Sequence, residues 1–389
     1  MRASCGSQDH FVEAGSYKEV NQCLEQAVQE RVFPGAVFLL GIYNKVLYHH
    51  AVGRIDSIAE APAVHPDTIF DLASLTKPLA TTLAILLLVQ KGRITWNQPI
   101  EKILELPRSS PVARFGVTLS HLLSHCSGLP AYRPYYIWLR KHSILDPKTW
   151  TRQRLVSEPL LYMPGERPLY SDLDFMLLEW VVERVSGQPL DRFVGRRIYE
   201  PLRLERSGFL LGHAPPFTAS EFASTGMCRF RKQRLQGVVH DRNAWAVGGV
   251  SGHAGLFSTA RDLWNLLGEL YRAYLRSDSP IFAQKPVSFM WKRRKKPPKT
   301  TWTLGFDTPS EKDSSTGDLF PKTSVGHLGF TGCSFWLDLS SGIIVILLTN
   351  RIAFHPPTTQ IRRVRPLIHS LAYQAAQNML ESDRNEPTP

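Results

Sequence analysis

The sequence predicts an α+β fold: an antiparallel sheet assembled from both ends of the chain and flanked by helices, with a mostly helical domain inserted between the N- and C-terminal strands. Three observations carry this. Apolar runs of strand length occur at 36–43 and 46–52, and again at 324–330, 334–339 and 343–349. Between them, from Gly92 to about Trp245, strand signals are sparse and helical segments alternate with Pro- and Gly-rich turns. Finally, 389 residues with 43% apolar side chains suffice for one large core or two interleaved ones.

The elements follow in order. Tyr17 to Val32 is amphipathic at helical spacing, with Val20, Cys23, Leu24, Ala27 and Val28 on one side, until Pro34-Gly35 stops it. Asn44-Lys45 joins the first two strands as a hairpin, and 56–67 is a loop leading to a helix with Ser74 at its mouth. Helices are expected at 100–104, 119–124, 150–157, 173–186, 190–199 and 260–275, followed by a basic linker at 292–299. Strands resume with Trp302 to Phe306, and a last helix covers 359–380. The expected organisation is a tail at 1–16, a discontinuous sheet domain at 17–70 and 250–380, a helical domain at 71–249, and a tail at 381–389.

Composition narrows the class. The formal charge is +12, much of it in Lys292-Arg293-Arg294-Lys295-Lys296-Pro297-Pro298-Lys299 and Arg362-Arg363-Val364-Arg365. No nucleic-acid module accompanies these runs, so they read as a solvated, exposed loop and a helix face, with no nucleic-acid partner. The five cysteines are odd in number and form no Cys-x-x-Cys pair, which excludes a disulfide framework and a zinc site. Met1 to Gly15 lacks an apolar core, and the longest apolar run, Leu79 to Val89, is too short for an integral membrane segment. The expectation is a reduced, soluble, cytoplasmic protein; a periplasmic one stripped of its leader would read the same.

Chemistry concentrates at Phe70-Asp71-Leu72-Ala73-Ser74-Leu75-Thr76-Lys77. On a helix, i and i+3 share a face, so Lys77 can reach the Ser74 hydroxyl. A serine needs a base to become a nucleophile, and a lysine serves only if burial or a neighbouring cation lowers its pKa. The apolar flank offers that burial. A serine at a helix start is equally explained as a plain N-cap.

Other segments supply partners. Pro164-Gly165 presents Tyr170-Ser171-Asp172 ahead of the helix at 173–186. Beside a lysine cation, the Tyr170 pKa is expected to fall, making a proton shuttle; otherwise Tyr170 is a buried tyrosine and Asp172 a cap. In Gly326-His327-Leu328-Gly329-Phe330-Thr331-Gly332 the glycines mark close backbone approach, and His327 is placed to donate toward an oxyanion. His121 to Pro130 and His240 to Phe257 read as cleft-shaping structure. His121 and His125 stand at i, i+4, yet no glutamate completes a zinc motif, so no metal is expected.

Together these pieces resemble the serine β-lactamase-related hydrolases: class C β-lactamases, penicillin-binding D,D-peptidases and esterases of the same β-lactamase/transpeptidase-like fold. Ser74-Leu75-Thr76-Lys77 resembles the Ser-x-x-Lys box, Tyr170-Ser171-Asp172 the Tyr-x-Asn box, and His327-Leu328-Gly329 the Lys-Thr-Gly box in its His-x-Gly form. The resemblance spans about Tyr17 to Ala376. It implies that Ser74 attacks a carbonyl, Lys77 and Tyr170 move the proton, the N–H groups of Ser74 and Phe330 form an oxyanion hole, and no metal or organic cofactor takes part.

Two departures shape the expected substrate. Asp172 replaces the usual asparagine and would stabilise the Lys77 cation. His327 replaces a lysine and would be largely neutral at pH 7, its reference pKa being about 6.5. Both favour small neutral esters over anionic substrates, although Arg351 could restore a positive contact. The first expectation is therefore a carboxylesterase on short-chain esters with weak β-lactam hydrolysis. A β-lactamase or D,D-peptidase is the alternative, and a non-catalytic binding or assembly relative the third. Oligomeric state is not legible.

Overall fold

The computed structural model describes residues 17–210 and 217–385. The tail expected at 1–16 lies outside them. Ten strands occur among the described residues: β1 (Gly35–Ile42), β2 (Lys45–Gly53), β3 (Phe70–Asp71), β4 (Gly208–Phe209) and β5 (Gly226–Cys228), then β6 (Gln233–Leu235), β7 (Leu256–Ser258), β8 (Val325–Leu328), β9 (Ser334–Leu337) and β10 (Ile343–Thr349). The main sheet is antiparallel in the order β2-β1-β10-β9-β8. Chain ends thus meet at its centre, Ala36 facing Thr349 and Ile42 facing Ile343. Small sheets β3-β7-β4 and β5-β6 lie apart from it.

Period-two alternation gives β1 two buried faces. Phe38 and Leu40 join a core with Val20, Leu24, Ala27, Ile368, Ala372 and Ala376, contributed by the helices Lys18–Gln29 and Ile361–Asn385. Val37 and Leu39 face a larger core that includes Leu83 to Leu88 and Leu173 to Val182. Ala73–Gln90 has the length and hydropathy to cross a membrane, but 83% of it is buried within the fold, and it is the core element of the helical region.

Several boundaries differ from expectation. Trp302 to Phe306 is no strand: Thr303 N–H closes a turn onto the Phe306 carbonyl, and Gly305 N–H bonds to Leu123 O. β-rich local composition gave way there to tertiary contacts. Short elements without a periodic signal were missed, including β3, β7 and the helices Tyr135–Lys141, Arg242–Ala246 and Gln284–Trp291. The last helix continues to Asn385, so the tail expected from 381 is helical for its first residues. Within the basic loop, Lys292, Lys295, Lys296 and Lys299 are exposed, but Arg293 and Arg294 are half-buried. Arg294 lies over the Phe289 ring.

Candidate active site

Ser74 sits where the chain turns sharply out of β3. Ala73 has φ of +47°, unusual for a residue with a side chain, and a single 3₁₀ turn spans Ala73–Leu75. Such a conformation costs about 1–2 kcal/mol. Three bonds offset it: Ala73 N–H donates to Asp71 Oδ1 (2.9 Å), Thr76 Oγ1 donates to Ala73 O (2.6 Å), and Thr76 Oγ1 accepts from Leu256 N–H (3.1 Å). The turn leaves Ser74 partly exposed while its neighbours are buried. A π-helical segment, Lys77–Thr82, follows, a widened turn of the kind often found at functional sites.

Lys77 is wholly buried beneath Ser74. Its ammonium donates to Ser74 Oγ at 3.2 Å, to Asp172 Oδ1 at 2.8 Å and to the His253 carbonyl at 3.3 Å. Three donors thereby meet three acceptors. Burial pushes the ammonium pKa down, but Asp172 and Tyr170 outweigh it and hold the group above the ordinary lysine range. The expectation of a lowered lysine pKa is therefore corrected: Asp172 points at Lys77 and keeps it charged.

Tyr170 lies against this lysine, with Nζ 4.7 Å from its ring centroid, and stacks on Trp302 at 5.7 Å. Its hydroxyl is buried; Lys77 and Ser74 approach it without completing a hydrogen bond. Burial, reinforced by Asp172, pushes the phenol up against the pull of Lys77. The lowered phenol pKa expected beside a cation is thus not found, because burial, with Asp172 adding to it, outweighs the pull of Lys77.

His327, on β8, is 2% exposed. Nδ1 lies 2.8 Å from the Leu328 carbonyl, so Nδ1 carries the proton and Nε2 is a bare acceptor without a partner. Burial, with Lys77 nearby, pulls its pKa to about 3, so the ring is neutral. It presents a lone pair, not the donor expected from the sequence. Gly326 and Gly329 meet the close-approach expectation: a Cβ on Gly329 would stand 2.6 Å from Leu72 O, and one on Gly326 would stand 2.4 Å from the Trp336 ring. Phe330 follows at the rim, 57% exposed. Neither Ser74 N–H nor Phe330 N–H has an acceptor among the described residues, so both remain available to a ligand oxygen.

A cleft of about 840 Å³ opens over Ser74, Tyr170, Asp172, His327, Gly329 and Phe330. Of the seven residues singled out from the sequence, only the buried Lys77 does not line it. Sequence reasoning missed Trp302 and Tyr132 as lining residues, whereas His125 behind them falls in the stretch read as cleft-shaping. His125 is buried 4.6 Å from the Tyr170 ring and accepts from Ser171 N–H at 3.1 Å. Its neighbour in the i, i+4 pair, His121, instead accepts from Thr118 N–H in a helix cap. His240, Asp241 and His253 line the opposite wall. Asp241 Oδ1 meets His253 Nε2 at 3.0 Å, and Ser251 Oγ meets His253 Nδ1 at 2.9 Å, which fixes the ring and the carbonyl it offers to Lys77. Arg351, Arg362 and Arg365 lie at one end, and none pairs with a carboxylate among the described residues.

Fold and site together define a serine hydrolase of the β-lactamase type. The chain belongs to the β-lactamase family, whose model matches residues 20–368. A protein described as a putative D-alanyl-D-alanine carboxypeptidase, from Salmonella schwarzengrund, is 32% identical over 304 residues, which cover 73% of this chain and 70% of the relative. Among solved structures, the hydrolase EstCE1, described as having promiscuous acyltransferase activity, superposes with a TM-score of 0.72 at 22% identity over 92% of this chain and 98% of its own. A penicillin-binding protein homologue from Pyrococcus abyssi gives 0.71 at 22% identity over 95% and 78%. At that identity the two structures speak for the fold alone.

Proposed function

We propose that this protein is a carboxylesterase that works through an acyl-enzyme on Ser74. One observation carries the reading: the ring occupying the third box, His327, is neutral and buried against the cleft, where a cation would select an anionic substrate. Ser74 Oγ attacks the ester carbonyl, and the N–H groups of Ser74 and Phe330 hold the resulting oxyanion. Tyr170, kept protonated, delivers a proton to the departing alcohol oxygen. Water then enters the cleft, attacks the acyl carbon, and its proton returns to Ser74. Aromatic and apolar side chains of Trp302, Leu328, Phe330 and Ile361 receive a short acyl chain.

A second reading, a D,D-carboxypeptidase, is favoured by the three arginines that have no carboxylate partner among the described residues, which suit a substrate carboxylate, and by the description of the Salmonella relative. Side-by-side turnover of p-nitrophenyl butyrate, nitrocefin and a peptide ending in D-Ala-D-Ala, by wild type and Ser74→Ala, tests both. Ester turnover lost in Ser74→Ala, with little nitrocefin or peptide cleavage, supports the esterase. Efficient Ser74-dependent release of D-alanine would replace it with the peptidase. Equal turnover by both proteins would remove Ser74 from the chemistry.

A further inference from the structure

We propose that Asp172 is the acceptor of the Ser74 proton, reached through Lys77, so that the lysine acts as a relay and not as the base. The inference rests on the reading of Ser74 as nucleophile. Its ground is connectivity. The Lys77 ammonium bridges Ser74 Oγ at 3.2 Å and Asp172 Oδ1 at 2.8 Å, and its third donor is taken by the His253 carbonyl. An ammonium with every N–H engaged has no lone pair, and it can accept a proton only by passing one on.

The other candidate acceptors are excluded by their contacts. Tyr170 lies beside Ser74, but burial keeps its phenol protonated, so its oxygen is not a vacant acceptor for the proton. Asp241 is held by His253 Nε2 and Ala244 N–H, and Asp174 by Ser127; neither touches Lys77. His327 is buried with its free nitrogen unpartnered, so it makes no hydrogen bond to Ser74. Asp172 stands in the first turn of the helix Asp172–Ser186, where negative charge is favoured. The groups facing it are Lys77 from the nucleophile helix, Tyr170 and Asp174 from its own stretch, Tyr132, and the pair Asp241–His253 across the cleft.

The step balances. An Nζ proton moves to Asp172 Oδ1, the amine turns the lone pair this leaves toward Ser74, and as the Oγ–carbon bond forms the hydroxyl proton moves to Nζ. When the carbon–oxygen bond to the alcohol breaks, the alcohol oxygen takes the proton of Tyr170; the Lys77 N–H that faced Ser74 Oγ, now acylated, turns to the neighbouring Tyr170 oxygen and restores it, and Asp172 returns its proton to Nζ. Attack by water repeats the transfer, and the proton returns to Ser74. An asparagine at this position cannot receive the proton, so the lysine of such a protein must itself be the base.

The test is the pH dependence of kcat/KM for p-nitrophenyl butyrate, whose leaving group departs without protonation and so isolates removal of the Ser74 proton. Asp172→Asn is expected to lose about 30-fold at pH 7 and to recover most of that loss near pH 10, as Lys77 becomes its own base. Asp172→Glu keeps a carboxylate and should exceed Asp172→Asn at pH 7. Asp172→Asn turnover equal to or above wild type at pH 7, or a loss of the same size at every pH, would overturn the proposal; melting curves of both variants establish that they are folded. Fluorophosphonate labelling separates the two levels. If Ser74→Ala still labels and turns over, the nucleophile assignment fails. If Ser74→Ala is inert while Asp172→Asn is fast, only the role of Asp172 fails.

Discussion

The Asp71 carboxylate ties the nucleophile turn to the opposite wall of the cleft: Oδ2 accepts from His240 N–H at 2.7 Å while Oδ1 holds Ala73 N–H. Asp71→Ala should therefore release a strained turn and a wall together. We expect kcat to fall at least about 10-fold, and stability to drop by about 1–3 kcal/mol for two orphaned backbone donors. Urea unfolding and ester turnover measure the two effects.

The same residue gives a pH signature. Burial lifts the Asp71 pKa from 3.8 to about 6. A carboxyl whose pKa is raised by folding stabilises the native state below its unfolded value and loses that contribution as pH rises through 6. The advantage of wild type over Asp71→Asn should then grow by about 2 kcal/mol on going from pH 7 to 4.5. A constant difference in urea would refute the shift.

Three histidines around the cleft carry no charge at working pH. Burial pulls His240 to about 4 and His327 to about 3, and holds His125 well below the ordinary range. The pH–rate profile should accordingly show no histidine limb near 6.5, any limb near 6 belonging to Asp71, and His327→Gln should change its height without changing its shape. A limb at 6–7 that vanishes in His327→Gln would contradict this.

Gly329 is the point where the third box approaches the nucleophile turn. An alanine methyl there would stand 2.6 Å from the Leu72 carbonyl, so the backbone must move. Gly329→Ala is expected to reduce the rate of Ser74 labelling by a fluorophosphonate at least about 10-fold, through displacement of the Phe330 N–H. Unchanged labelling would remove Phe330 from the oxyanion hole.

Arg362 is exposed, lines the cleft and forms no ion pair among the described residues. Arg362→Ala should raise KM about 3- to 10-fold for esters bearing a carboxylate and leave neutral esters unaffected, consistent with a single charge-assisted contact. An equal effect on both would place Arg362 outside the binding end.

The fold was legible because sheet and helix periodicities are local and strong: β1, β2, β9 and β10 emerge from apolar runs alone. The three boxes were legible because each is a short local pattern, Ser74 to Lys77, Tyr170 to Asp172 and His327 to Gly329. Charge states were legible in part: Asp172 in place of asparagine pointed to a Lys77 cation, and His327 in place of lysine to a neutral ring. Only the structure shows that Asp172, 95 residues on from Lys77, turns its carboxylate toward it. His125 was placed in a cleft-shaping segment, but its contact with Ser171, and that of Trp302 with Tyr170, join separate segments and leave no periodic signal. Trp302 was read as part of a strand because β-propensity reports packing surfaces more than backbone preference.

β1 hydrogen-bonds β10, and Gly35 N–H reaches Asn350 Oδ1 across 315 residues of chain. A ribosome therefore exposes β1 and β2 long before their central partner exists. Until β10 emerges, the nascent hairpin has an open edge and two bare apolar faces, so completion of the sheet must await synthesis through Thr349. Chains stalled or terminated before it would carry every residue of the Ser74 turn and still aggregate, which makes the Ile343–Thr349 stretch decisive for recovery of soluble protein.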